Sequence, residues 1–169
     1  FSWKQTINNC SQIFDEIKKS QSILLHCHRN ADADSLGSAL GMKHSLESIG
    51  KKVTLIQGDT PIPTYISHLP GADTVVKKNY FEVDLKEFDL FLILDTGALD
   101  RVSAIEPIIF PEHLKTIVID HHKSNPGYGQ INLVDASYPA TAQLVFDLVK
   151  EWGIAITHDT ALCLFAGLY

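Results

Sequence analysis

The chain has 169 residues, 14 Lys+Arg against 20 Asp+Glu for a net charge of −6, and 45% hydrophobic residues. That is one domain's length and an ordinary globular composition, which excludes wholesale disorder, collagen, coiled coil and low-complexity chains. The acidic balance leaves no basic surface for a long duplex, and no apolar run approaches the ~18 residues of a membrane-spanning helix.

Residues 3–19 place Trp3, Ile7, Cys10, Ile13, Phe14 and Ile17 at three- and four-residue spacing, which predicts an amphipathic helix. Ser22 to His28 is a short apolar run and reads as a buried parallel strand. Ser35 to Ile49 reads as a helix stopped by Gly50, and Val53 to Gln57 as a second strand. Residues 58–88 are punctuated by Pro and Gly, with a short strand expected at Thr74 to Val76. Asp89 to Asp95 and Lys115 to Asp120 are hydrophobic runs that each end in aspartate, the pattern of central strands. Ile131 to Val134 is expected at a sheet edge, and Pro139 to Trp152 and His158 to Tyr169 as helices. Alternation of this kind predicts an α/β fold, an open, mostly parallel five- or six-stranded sheet flanked by helices. The three cysteines, Cys10, Cys27 and Cys163, form no CxxC pair, so neither a disulfide framework nor a thiolate zinc site is expected, and a reducing cytoplasm fits.

Three strand ends carry titratable groups: His28, Asp32 and Asp34 after the first, Asp95 after one central strand, and Asp120, His121 and His122 after the other. Ligands of open parallel sheets bind beyond the carboxyl ends of the strands, where neighbours lie about 4.8 Å apart, so these groups can converge. Carboxylates about 4 Å apart repel by roughly 4 kcal/mol at an effective dielectric of about 20. Arg29, Arg101 and Lys123 are too few and too scattered to offset that, which leaves divalent metal. Carboxylate and imidazole donors without thiolate favour manganese, magnesium, iron or zinc over copper(I), and manganese suits the mixture well.

The string from His28 through Asp32, Asp34, Gly37 and Ser38, then Asp95-Thr-Gly, then Asp120-His121-His122, resembles the DHH phosphoesterases, a superfamily of two-metal phosphate-ester hydrolases, over essentially the whole chain. The leading His28 differs from the RecJ exonuclease form, which usually lacks that histidine. The segment from Asp135 through Pro139, Ala140 and Thr141 to Val145 resembles the branch of nanoRNase/pAp phosphatases and cyclic-dinucleotide phosphodiesterases. The resemblance implies that His28 and Asp32 hold one ion, Asp34 and His121 the other, and that Asp95 bridges them. It gives His122 a contact with phosphate and the protonation of the leaving oxygen. Asp120 would orient a neighbouring imidazole, and Asn30 and Arg101 are candidates for substrate contact or support.

The implied activity is hydrolysis of short oligoribonucleotides, pAp or a cyclic dinucleotide by hydroxide generated at two divalent ions. An inorganic pyrophosphatase of the same superfamily and a non-catalytic nucleotide-binding module are the alternatives. The implied partners are a small nucleotide or very short RNA and, as a candidate, a second copy of the chain, with no long duplex and no membrane. Residues 1–169 read as the DHH catalytic domain, truncated before a further metal-binding aspartate and lacking the family's C-terminal substrate domain. The isolated piece is therefore expected to be weakly active or inactive.

Structural roles stand beside these. Asp32 and Asp34 suit helix caps, Asp135 a turn, and Gly37 and Ser38 close helix-to-sheet packing. Arg101 suits an ion pair as well as a phosphate contact. His26 reads as a hydrogen-bonded core residue, and Cys27 as packing on the opposite face. His44, His68, His113 and His158 suit surface or capping positions, and Lys43, Lys51 and Lys52 a basic patch at a helix end.

Overall fold

Five parallel strands hydrogen-bond side by side in the order β2-β1-β3-β4-β5. They are β1 (Ser22–His26), β2 (Lys52–Ile56), β3 (Leu90–Leu94), β4 (Lys115–Asp120) and β5 (Ile131–Val134). The helices are α1 (Trp3–Lys19), α2 (Ala33–Ser48), the single turn α3 (Leu99–Val102), α4 (Thr141–Glu151) and α5 (His158–Gly167). The computed structural model describes the backbone of residues 3–169 and the side chains of 9–169, so Trp3 and Ile7 of the expected α1 stripe lie outside the described side chains.

The apolar runs of β1, β3 and β4 are explained by burial on both faces; all five residues of β3 are buried. Ile23 and Leu25 of β1, Leu92 of β3 and Ile117 and Ile119 of β4 face Ile13, Leu40, Leu144 and Leu164 of α1, α2, α4 and α5. Leu24, Phe91, Ile93 and Val118 face the other way, onto Tyr80, Phe88, Phe110 and Leu114 from the connecting segments and Val102 of α3. β5 is an edge strand, as its short pattern predicts.

Three boundaries differ from expectation. Thr74 to Val76 is not a strand: Ala72–Thr74 is a 3-10 turn, and only one parallel bridge, Ile56 to Val76, forms. β1 stops at His26, so His28 leaves the sheet before the motif begins. α4 starts at Thr141 rather than Pro139, because Ala140 is extended (φ −153°) and the first helical N–H groups are taken by Asp34.

Gly37 of α2, expected to pack helix to sheet, instead serves with Gly41 a helix-to-helix contact. A Cβ at Gly37 would collide with the Cys163 carbonyl, and one at Gly41 with the Leu164 side chain, so α2 and α5 cross at backbone distance. Gly50 ends α2 with φ +85°, a left-handed conformation suited to glycine. The basic residues resolve individually: Lys51 Nζ donates to the Lys18 and Ser20 carbonyls at 2.9 and 2.7 Å, closing the end of α1, and Lys43 pairs with Glu47.

Candidate metal centre

The strand order reverses between β1 and β3, which opens a crevice beyond their carboxyl ends. His28 enters it two residues past β1, and Asp95 immediately follows β3. Asp95 is left-handed (φ 52°), a conformation costly to non-glycine residues and least so for Asn and Asp, and it is buried. Asp120 ends β4, and His121 and His122 follow it into the same space. Asp32 caps α2 by accepting from Ser35 N at 2.9 Å, and Asp34 lies in its first turn. The capping role thus holds for Asp32 and leaves its second oxygen free to face the crevice.

Asp95 sits between two groups. Its Oδ2 is 3.6 Å from His28 Nε2, which is 3.7 Å from Asp32 Oδ2. Its Oδ1 is 3.5 Å from His121 Nε2, which is 3.5 Å from Asp34 Oδ2. Donor atoms of His28, Asp32 and Asp95 lie within 4.8 Å of one another, as do those of Asp95, His121 and His122. The 3.5–3.7 Å separations exceed hydrogen-bond length. Two donors that share an ion at about 2.1 Å stand about 3.0–3.5 Å apart, so the spacing suits ligation better than direct pairing. Among the described residues, no lysine or arginine forms an ion pair with Asp32, Asp34, Asp95 or Asp120. An all-nitrogen-and-oxygen donor set with uncompensated buried carboxylate fits hard or borderline divalent cations.

The titrating groups carry the same strain. Burial alone would lower the His28 imidazole, but Asp32 and Asp95 outweigh it and hold the group up at about 9. The His28 partner in turn holds the Asp32 carboxyl down at about 2. Burial, then the Asp95 charge, push Asp34 up to about 6 against the hydrogen bonds it accepts from Ala142, Thr141 and Ser38. These are the shifts of a site that concentrates negative charge in a small volume.

The DHH family, N-terminal domain, matches residues 22–168. The chain belongs to the DHH family. Among relatives, the bifunctional oligoribonuclease and PAP phosphatase NrnA of Thermus thermophilus is 30% identical over 150 residues, 86% of this chain and 42% of that protein. The NrnA of Bacillus subtilis is 27% identical over 161 residues, 94% of this chain and 48% of that protein. Among solved structures, an exopolyphosphatase-related protein from Bacteroides fragilis superposes with a TM-score of 0.84 at 26% identity, covering 95% of this chain and 49% of that one. The DHH chain thus spans about half the length of the curated relatives it matches.

The remaining predicted residues are placed as follows. Asp120 is fully buried, and its Oδ1 accepts from His122 Nδ1 at 2.7 Å and from His121 N at 2.8 Å. Arg101 lies on His28, Nη2 to Nδ1 at 3.0 Å, and its carbonyl accepts from Arg29 N. His28 Nδ1 also lies 2.9 Å from the Arg29 carbonyl, so Arg101 borders the ring and makes no ion pair. Asn30 is exposed at the crevice rim, with φ 57° and its N–H on Thr60 Oγ1. His26 and Cys27 stay out of the DHH site: His26 bonds the Cys27 carbonyl and Thr96, with burial holding it down at about 3, and Cys27 is buried on the opposite face, its thiol pushed up to about 12. Asp135 takes the turn role, accepting from Ser137.

Three residues at the site were given no role from sequence. Thr141 donates its hydroxyl to Asp95 Oδ1 at 3.0 Å and its N–H to Asp34 Oδ2 at 2.9 Å, so the start of α4 grips two of the carboxylates. Asn125 and Tyr128 both reach the Thr96 carbonyl, and Asn125 also reaches Asp120. Only Thr141 lay in a segment that the sequence had marked, the run from Asp135 to Val145.

Proposed function

We propose that this chain holds two divalent ions, manganese by preference, and belongs to an enzyme that hydrolyses phosphate esters of very short oligoribonucleotides or of pAp. The observation that carries the reading is Asp95, buried between two groups of ligands with one carboxylate oxygen toward each. His28 and Asp32 would hold one ion and Asp34 and His121 the other, with Asp95 placed to serve both. Such a pair, when bound, lowers the pKa of water toward neutrality and neutralises charge at phosphorus in an in-line displacement.

The chain's own residues supply the rest. Thr141 and the α4 N-terminus keep Asp34 and Asp95 aimed into the crevice. Asp120 fixes the Nδ1–H of His122, leaving the opposite nitrogen to donate a proton to the departing oxygen, a task that suits imidazole near neutral pH. Asn30 stands at the rim for contact with the substrate, while Arg101 borders His28. The net charge of −6 favours small substrates over long duplexes. In this reading residues 1–169 are the metal-holding half, a reducing cytoplasm is its compartment, and a further domain supplies the substrate-binding half, in keeping with relatives about twice as long.

The test is a manganese titration of the full-length protein with pAp, a short RNA and pyrophosphate as separate substrates. Manganese-dependent release of phosphate from pAp or of mononucleotide from the RNA supports the proposal. Turnover of pyrophosphate alone transfers the site to the pyrophosphatase alternative, and tight nucleotide binding without turnover of any of the three makes it a binding module.

A further inference from the structure

Asn125 is in the turn that follows His122, and its own N–H donates to the His122 carbonyl at 3.0 Å. Its carboxamide is fully used. The oxygen accepts from Gly127 N at 2.8 Å, while the nitrogen donates to Asp120 Oδ2 at 2.7 Å and to the Thr96 carbonyl at 3.1 Å. A flipped amide would set its oxygen against two acceptors and its N–H against a donor, so only one orientation satisfies the network. Asp120 is fully buried with no lysine or arginine on it; His121 N and His122 Nδ1 take its Oδ1, and Asn125 supplies the donor on its Oδ2. Thr96 is the residue after Asp95, so one side chain ties the end of β3 to the carboxylate that holds His122.

We propose that Asn125 is a positioning residue for proton delivery: it locks the Asp120 carboxylate, and through it the His122 ring, so that Nε2 faces the departing oxygen. The inference rests on the hydrolase reading above. In the step concerned, a water oxygen forms the new bond to phosphorus and the bond from phosphorus to the nucleoside oxygen breaks. That oxygen takes the proton from His122 Nε2, and the water's proton passes to solvent. With Asn125 removed, Asp120 Oδ2 is left without its donor inside the protein, and the carboxylate and the ring it holds rotate out of register.

The test compares leaving groups in the full-length protein. A nucleoside oxygen needs a proton as it departs, whereas p-nitrophenolate leaves without one. Asn125→Ala is expected to lower kcat on a dinucleotide about 10- to 100-fold while changing kcat on thymidine 5′-p-nitrophenyl phosphate less than threefold and the manganese affinity by a similarly small factor. In a His122→Ala background the same substitution should have no further effect on the dinucleotide, because residues acting through one group are not additive. Asn125→Ser keeps a small polar side chain too short to span both acceptors and stands in if the alanine variant does not fold. Equal losses on both substrates, additive losses in the double variant, or no loss on either would overturn the role of Asn125. A wild-type protein inactive on both substrates would instead remove the hydrolase reading itself, and this one with it.

Discussion

At the scale of single residues, Asp95 concentrates the conflict between stability and chemistry. It is buried in a left-handed conformation beside Asp34, whose carboxyl its charge helps to push up to about 6. Asparagine tolerates that backbone and can still accept from Thr141. Asp95→Asn is therefore expected to raise the melting temperature of the metal-free protein, by about 2–4 °C for each kcal/mol of repulsion relieved, while abolishing the stabilisation that manganese gives the wild type. Differential scanning calorimetry with and without the metal measures both. Thr141→Val keeps shape and removes the hydroxyl from Asp95; a loss of about 1 kcal/mol in stability and about 10-fold or more in manganese affinity is expected, read by calorimetric titration. The aspartates and histidines were legible because charged residues at the ends of buried apolar runs have few structural explanations. Thr141 and Asn125 were not, since a hydroxyl that meets its carboxylate 46 positions away and a carboxamide in a turn leave no periodic trace.

At the scale of elements, β3 and β4 announced themselves because burial on both faces demands unbroken apolar sequence. Thr74 to Val76 misled because one bridge outside β2 needs the same β-branched residues as a strand. α2 carries small and apolar residues around its whole circumference, since it is covered by the sheet, α4 and α5; its periodicity therefore announced a helix but not which neighbour Gly37 would meet. Gly37→Ala sets a methyl against the Cys163 backbone carbonyl, which cannot move as a side chain could, and an unfolding free energy lower by about 1–3 kcal/mol is expected in urea titration. At the far end of β1, Asp89 accepts from Gln21 N and Ser22 N, and these bonds hold its carboxyl below the ordinary value. A folded-state value below the unfolded one gives stability present above about pH 4 and lost as pH falls through the folded value, a slope that Asp89→Asn should reduce in acid titrations followed by circular dichroism.

At the scale of the whole molecule, the reversal of strand order between β1 and β3 turns separated motifs into one centre, with His28 from one side of the reversal and Asp95, Asp120 and His121 from the other. The fold class and the gathering point follow from the order of strands and helices, whereas the close packing of α5 on α2 depends on which helices become neighbours once the chain is folded. No described helix is long and apolar enough to cross a membrane, and the three cysteines are free. With Cys27 and Cys163 buried, a maleimide is expected to label at most the half-buried Cys10 in the native protein and all three after denaturation, as mass spectrometry would count. Electron paramagnetic resonance of the manganese-loaded full-length protein goes straight to the shared carboxylate. The expected result is two ions per chain with a spin-coupled spectrum that collapses in Asp95→Asn. One isolated ion, or two uncoupled ones in the wild type, would contradict the bridged pair from which the proposed chemistry is built.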